Sequence, residues 1–437
     1  MKGLYKLFSI AFIASSSILT SAQNLPRCAR ITVRKEIRNT SPAEWAMIKS
    51  VLTQMHRDGE YSKFAKIHTE QFAYVHGGPI FMPFHRRLTV DLENVGKRYN
   101  PDFFIPYWDA ARDFRDPVSS IVYTPNYLGG NGDPNNNNCI TNGLQSGWTM
   151  PYQQPHCLAR IFNGPNGSIK SWYSPETMTS LLQTSLAFDK FRSNVEFTLH
   201  GAVHLGFGGD MTQMWSPNDF GFFLHHSNID RLWWKWQNGA SGNLMQYGGQ
   251  NPKKTGNAQL SDIIDGYPEK IGDMMRLGYG NLCYTYDDST AVRSTTSSQQ
   301  DSSVVSSNST RALNTANSSD NDDGKTFNAG LRTLSVSTLN RFFPAFSKGN
   351  DNPNLFETSG LKLGKITKFT TESRKPERRA RKRGYGQCDY RRLPLPEIPP
   401  DHFIRMHNYS RTEVVTTVNQ FRALVVALNN EGYQSPY

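Results

Sequence analysis

Residues 222–236 read FFLHHSNIDRLWWKW, with two adjacent histidines, His225 and His226, between an apolar run and a tryptophan-rich one. Histidine is the commonest side-chain metal ligand. Neighbours on a helix point about 100° apart, so a His-His doublet seldom serves one ion. If one of the pair is a ligand, its partners lie elsewhere. The chain has eleven histidines, unevenly spaced. His68, His76 and His85 form one cluster; His200, His204, His225 and His226 form another. His200 and His204, in EFTLHGAVH, are four apart, which on a helix puts both imidazoles on one face. A third histidine from another helix completes three nitrogen ligands and leaves open positions. The first cluster offers the same count. Two three-histidine sites on facing helices make a dinuclear centre. All-imidazole sites without carboxylates suit copper or zinc, and copper is favoured if both ions bind one dioxygen.

The surrounding pattern is helical. In SPAEWAMIKSVLTQM, Ser41 is an N-cap, Pro42 the first helical residue and Glu44 the capping-box partner. Trp45, Ile48, Val51 and Leu52 follow at helical spacing. YSKFAKIHTEQF, FMPFHRRLTVDLENVGKRY, FDKFRSNVEFTLHGAVHLG and FFLHHSNIDRLWWKWQ also read as helices, joined by loops such as LGGNGDPNNNNC. The expected fold class is mainly α, a four-helix bundle holding a dinuclear site and threaded by long loops. Residues 23–288 form this domain. Residues 289–325 are Ser/Thr/Asn-rich with almost no large apolar side chain, and read as a linker. Residues 326–437 contain TFNAGLRTLSVSTLNRFF, KLGKITKFTTES and TEVVTTVNQFRALVVALNN, rich in Val, Thr and Phe, and read as a small β-containing C-terminal module.

Residues 1–22 have Lys2 and Lys6, an apolar stretch and small residues up to Ala22, the pattern of a secretory signal. No other stretch approaches about 18 uninterrupted apolar residues, so no membrane span is expected. A secretory route admits disulfides. Cys28, Cys139, Cys157, Cys283 and Cys388 are odd in number, so at least one stays outside an internal pair, and none shows the CxxC spacing of a zinc knuckle or redox motif. Asn39, Asn166, Asn308, Asn317 and Asn408 open glycosylation sequons. The net charge is +11, and most of the excess lies in residues 374–392, where nine Lys and Arg face Glu377 and Asp389. Nucleic-acid binding is not expected of a secreted chain, and the densest basic run, residues 374–383, has no aromatic residue within it. Its RRARKRG ends in Lys382-Arg383, a dibasic site for a secretory-pathway protease; the Ser-rich linker is the alternative place of processing.

Several motifs, in order, resemble the tyrosinase and catechol oxidase family of dinuclear copper proteins. YVHGGPIFMPFHRRLTVDLE resembles its first copper-site motif, and HGAVHLGFGGDMTQMWSPNDFGFFLHHSNIDRLWWKWQ its second. IPYWDAARD resembles the Pro-Tyr-Trp-Asp element and LCYTYDD the Tyr-x-Tyr element. The likeness covers about Cys28 to Asp287, with a looser match at YRRLPLPEIPPDHFIRMHN. It implies His68, His76 and His85 on one copper and His200, His204 and His226 on the other, with His225 shaping the pocket. It implies that Asp230 hydrogen-bonds an imidazole, that Arg86 and Asp109 sit in buried ion pairs, and that Glu196 holds a water near copper as proton acceptor. Gln213 and Met214 would narrow the substrate mouth and Phe222 would pack beside it. Tyr74 stands where many members carry a thioether-forming cysteine, so no thioether is expected. Gly201 stands where good monophenol hydroxylators often carry Asn. The activity implied is oxidation of o-diphenols to o-quinones with O2, leaning away from monophenol hydroxylation. An oxygen carrier like the haemocyanins and a three-histidine zinc hydrolase are the competing expectations. A C-terminal cover removed by processing is a further implication.

Overall fold

Ser41 accepts the Glu44 N–H at 3.2 Å, and the Glu44 carboxylate accepts the Ser41 N–H at 2.9 Å, closing the expected capping box at the start of α1 (Pro42–Arg57). The computed structural model describes residues 25–251, 256–288, 327–357 and 392–437. Before α1 runs a short strand, β1 (Thr32–Arg34). After it come α2 (Ser62–Val75) and α3 (Phe81–Tyr99). A long, loop-rich excursion carries two ladders of two residues per strand, β2 (Gly132–Asp133) with β3 (Cys139–Ile140) and β4 (Thr149–Met150) with β5 (His156–Cys157). The Cys139–Cys157 disulfide clamps it.

The second half of the bundle follows: α4 (Pro175–Thr184), α5 (Phe188–Val195), a π-helical turn over Glu196–His200, α6 (Gly201–Phe207) and α7 (Phe220–Gly239). α7 is buried on nearly every face, which is what apolar residues all round a helix demand. It packs against α3. The α2, α3, α6 and α7 helices enclose the histidine clusters, as the sequence predicts. Parallel pairing of β1 with β6 (Tyr284–Tyr286), beside the Cys28–Cys283 disulfide, joins the two ends of this domain. No helix among the described residues is long and apolar enough to cross a membrane. The signal segment, the linker and the basic tract up to residue 391, with Cys388, lie outside the described residues, as does KLGKITKFTTES.

The expectation of β structure in the C-terminal part is corrected. Its described residues hold helices α8 (Phe327–Leu331), α9 (Val336–Phe342), α10 (Pro344–Ser347), α11 (Asp401–Met406) and α12 (Arg411–Asn430). TEVVTTVNQFRALVVALNN is β-branched, but Val414, Val418, Phe421, Leu424, Val425 and Leu428 fall on one helical face and are buried. Ser410 caps this helix by accepting the Glu413 N–H at 3.3 Å. The 3.6-residue period of the buried face outweighs the β preference of individual residues.

The two described parts of this region pack on one continuous core and on each other, with the Ser335 hydroxyl donating to Glu431 at 2.8 Å. Residues 327–357 lie on α4 and α7, where Gln183 accepts the Ala345 N–H at 3.0 Å and Arg231 pairs with buried Glu357 at 2.8 Å. Residues 392–437 lie on the π turn and α4, with Tyr433 donating to buried Glu176 at 3.0 Å.

Candidate metal centre

Each triad is assembled from a helix pair. His68 lies in α2, His76 directly after its last residue, and His85 in the first turn and a half of α3. His200 ends the π turn, His204 lies one turn on in α6, and His226 lies in α7. In each triad the ligand-capable atoms lie within 4.8 Å of one another, and all six residues are buried. The triads interlock: the His85 and His226 rings stack at 4.3 Å, and His76 faces His200 at 6.1 Å.

Five of the six Nδ1 atoms meet backbone carbonyls. His76 pairs with Phe72 O at 3.0 Å and His85 with Phe81 O at 2.7 Å, each four residues back on its own helix. His200 meets Glu196 O at 3.3 Å, His68 meets Met214 O at 2.6 Å and His204 meets Met211 O at 2.6 Å. An Nδ1–H donated to a carbonyl leaves the lone pair on Nε2. Those lone pairs converge: the Nε2 atoms of His68 and His85 are 3.3 Å apart, as are those of His204 and His226. His200 Nε2 is buried without a hydrogen-bond partner. Burial holds every one of these imidazoles below its usual pKa, His68 at about 3 and His204 at about 4. Neutral imidazoles with inward lone pairs are ready for a cation and need lose no proton to bind it. No carboxylate belongs to either triad, which fits copper better than a hard cation.

Residues 58–239 match the family model described as the common central domain of tyrosinase. Tyrosinase ustQ of Aspergillus flavus is 30% identical over 292 residues, covering 60% of this chain and 81% of that protein. The chain belongs to the tyrosinase family. A tyrosinase of Streptomyces antibioticus is 26% identical over 247 residues, covering 51% of this chain and 89% of its own. Among solved structures, a polyphenol oxidase from Thermothelomyces thermophila aligns with a TM-score of 0.49 at 23% identity, covering 60% of this chain and 90% of that one. The cofactor of the tyrosinase family is a pair of copper ions, and the two triads fit it in number, charge and donor type.

The residues around the triads depart from several expectations. Asp230 touches no imidazole. It accepts from Arg86, Tyr284 and Tyr286 and lies 3.6 Å from Arg34. Arg86 follows His85 and Asp230 lies four residues after His226, so the pair ties α3 to α7 beside both triads. Asp109 makes no ion pair among the described residues; burial and then the neighbouring Glu357 push its pKa well above the usual carboxylate range. Glu196 is fully buried with both oxygens engaged, one accepting the Gly77 N–H at 2.8 Å and the other Arg192 at 2.9 Å.

Phe222 packs on the His226 and His68 rings at 4.1 and 5.1 Å, forming a floor shared by both triads. His225 stacks on His200 at 5.7 Å. Gln213 and Met214 are exposed, and Met214 serves the site through the carbonyl that holds His68. Sequence reasoning left His407 and Phe403 unassigned. The buried His407 ring lies 5.0 Å from His76 and 6.4 Å from His200, and Phe403 meets Gly201, where an added Cβ would stand 3.3 Å from its ring. Their one signal was the loose likeness of the DHFIRMHN stretch, which names no role.

Proposed function

We propose that this chain is a secreted oxidase that uses two copper ions and O2 to convert o-diphenols to o-quinones, in pigment formation or phenol oxidation. His68, His76 and His85 hold one ion; His200, His204 and His226 hold the other. The observation that carries this reading is the pair of buried, neutral, interlocked triads in a chain of the tyrosinase family. Bound copper supplies O2 binding and one-electron steps that no side chain offers. The chain fixes five of the six imidazole tautomers through backbone carbonyls, and Phe222 with the buried helices keeps water out. Each catechol loses two electrons and two protons; two catechols reduce one O2 to two waters. Gly201 offers no side chain to orient a base, which favours diphenols over monophenols. Secretion is supported by the leader-like residues 1–22 and by two disulfides. Asn166 and Asn408 are exposed sequons that a secreted chain would present for glycosylation.

Residues 392–437 are proposed as a shield over the copper site, removed by a protease acting at the linker or at Arg383. Support comes from Phe403 and His407, which lie against Gly201 and His76.

The test is metal analysis with a substrate panel. Two coppers per chain are expected, with catechol turned over about tenfold or more faster than the matching monophenol, a gap of roughly 1.4 kcal/mol in barrier. Equal turnover of the two would remove the diphenol preference. Zinc in place of copper, or reversible O2 binding without catechol oxidation, would overturn the whole reading. His226→Ala should leave one copper, whereas His225→Ala should keep two.

A further inference from the structure

We propose that Glu196 is a positioning residue that sets how far apart the two histidine triads stand. Its side chain reaches the first triad: Oε1 accepts the N–H of Gly77, the residue after His76, at 2.8 Å. Its backbone reaches the second: Glu196 opens the π turn that ends at His200, and its carbonyl meets His200 Nδ1 at 3.3 Å. One residue therefore spans the gap across which His76 and His200 face each other at 6.1 Å.

The chain near His76 needs such a tie. His76 leaves α2 in an extended conformation, and Gly77 follows at φ +72°, so the helical ladder ends there. The Gly77 N–H is directed inward and would be left without a partner if Glu196 were shortened. A carboxylate acceptor makes this bond stronger than a neutral one would be. The far side of Glu196 is braced in turn. Arg192 donates to Oε2 at 2.9 Å and is itself held by Asp189. The Phe197 and Tyr409 rings lie tilted at 4.8 Å beside the pair, and the Asn408 carbonyl would stand 3.1 Å from a Cβ added at Gly77. A carboxylate committed on both oxygens is built to hold position. Glu196 is itself 0% exposed, so no solvent competes for either bond.

This inference rests on reading the triads as a copper pair. It is tested on the full-length, copper-loaded chain with two conservative variants of opposite kind. Glu196→Asp keeps the charge and loses one methylene of reach. Glu196→Gln loses the charge and keeps an oxygen within reach of Gly77, while Arg192 keeps Asp189. Two copper(II) ions held close and bridged couple magnetically and are silent in electron paramagnetic resonance; ions at the wrong separation become visible. The expected result is that Glu196→Asp makes a substantial share of its copper visible and loses about tenfold more catechol kcat than Glu196→Gln, in line with the cost of ångström-scale misplacement. Glu196→Gln should keep its copper silent. If Gln is the more damaged variant with both spectra silent, the carboxylate is acting on a proton and the positioning role is overturned. Indistinguishable spectra in the two variants also overturn it. A wild-type chain with two silent coppers but no catechol oxidation would remove the proposed activity, while the spectra would still decide the role of Glu196.

Discussion

At position 201 the absence of a side chain matters twice. On the proposed diphenol-oxidase reading it leaves no group to orient a water for monophenol hydroxylation, and it makes room for Phe403, whose ring would lie 3.3 Å from any Cβ placed there. A methyl group at that distance needs a shift of a few tenths of an ångström; a branched amide needs the ring to leave. Gly201→Asn is therefore expected to raise the catechol turnover of the intact chain severalfold, while Gly201→Ala changes it little, since overpacking costs on the order of 1–3 kcal/mol and weakens the contact. Initial rates on unprocessed protein check this, and a lower rate for Asn would show that Phe403 does not restrain the site. The residue scale is also where the sequence was most legible. Six histidines at triplet spacing identify themselves, because metal ligation demands particular atoms from particular residues. His407 does not, because nothing local distinguishes a histidine that a distant helix carries to the site.

At the scale of elements, the separation of α3 from α7 is governed by the buried hub around Asp230. Arg86 bonds Asp230, donates to Met274 O at 2.7 Å and lies over the Trp233 ring at 3.6 Å. Arg34 and the Tyr284 and Tyr286 hydroxyls complete the hub from β1 and β6. Replacing Arg86 with Met fills similar volume but strands Asp230 with fewer countercharges, and breaking such a pair costs about 3–5 kcal/mol. The expected outcome is a clear fall in melting temperature together with weaker retention of copper, measured by calorimetry and metal analysis after dialysis. A variant that keeps both would show that the hub is held by the tyrosines alone. The helices themselves were readable from capping and periodicity, as at Ser41 and Glu44. α12 was not, because its β-branched composition argued against its own 3.6-residue period. The expected imidazole contact of Asp230 failed for another reason: its carboxylate is taken by Arg86, Tyr284 and Tyr286, which reach it from α3 and β6.

For the whole molecule, the two described parts of the C-terminal region touch each other but meet the histidine site differently. Both parts share the core, and residues 327–357 add Glu357 to the Arg231 pair, whereas of the two only residues 392–437 reach the copper site, through Phe403 and His407. A cut in the basic tract 374–392 separates these two parts. Limited trypsin digestion there, followed by removal of the released fragment, is expected to raise catechol kcat/KM by about tenfold or more, since a site that is open only part of the time binds in proportion to its open fraction. Unchanged turnover and unchanged KM would remove the shielding role. The sequence by itself determined the metal-binding chemistry, the mainly helical class and the helix starts, because these depend on residue type and on spacings of a few residues. The tertiary structure alone decided that Glu196 is clamped between Gly77 and Arg192, that Asp230 serves arginines and tyrosines, and that His407 lies beside His76. Those facts depend on contacts between segments tens to hundreds of residues apart, whose geometry comes from the packing of the whole core and leaves no local pattern to read.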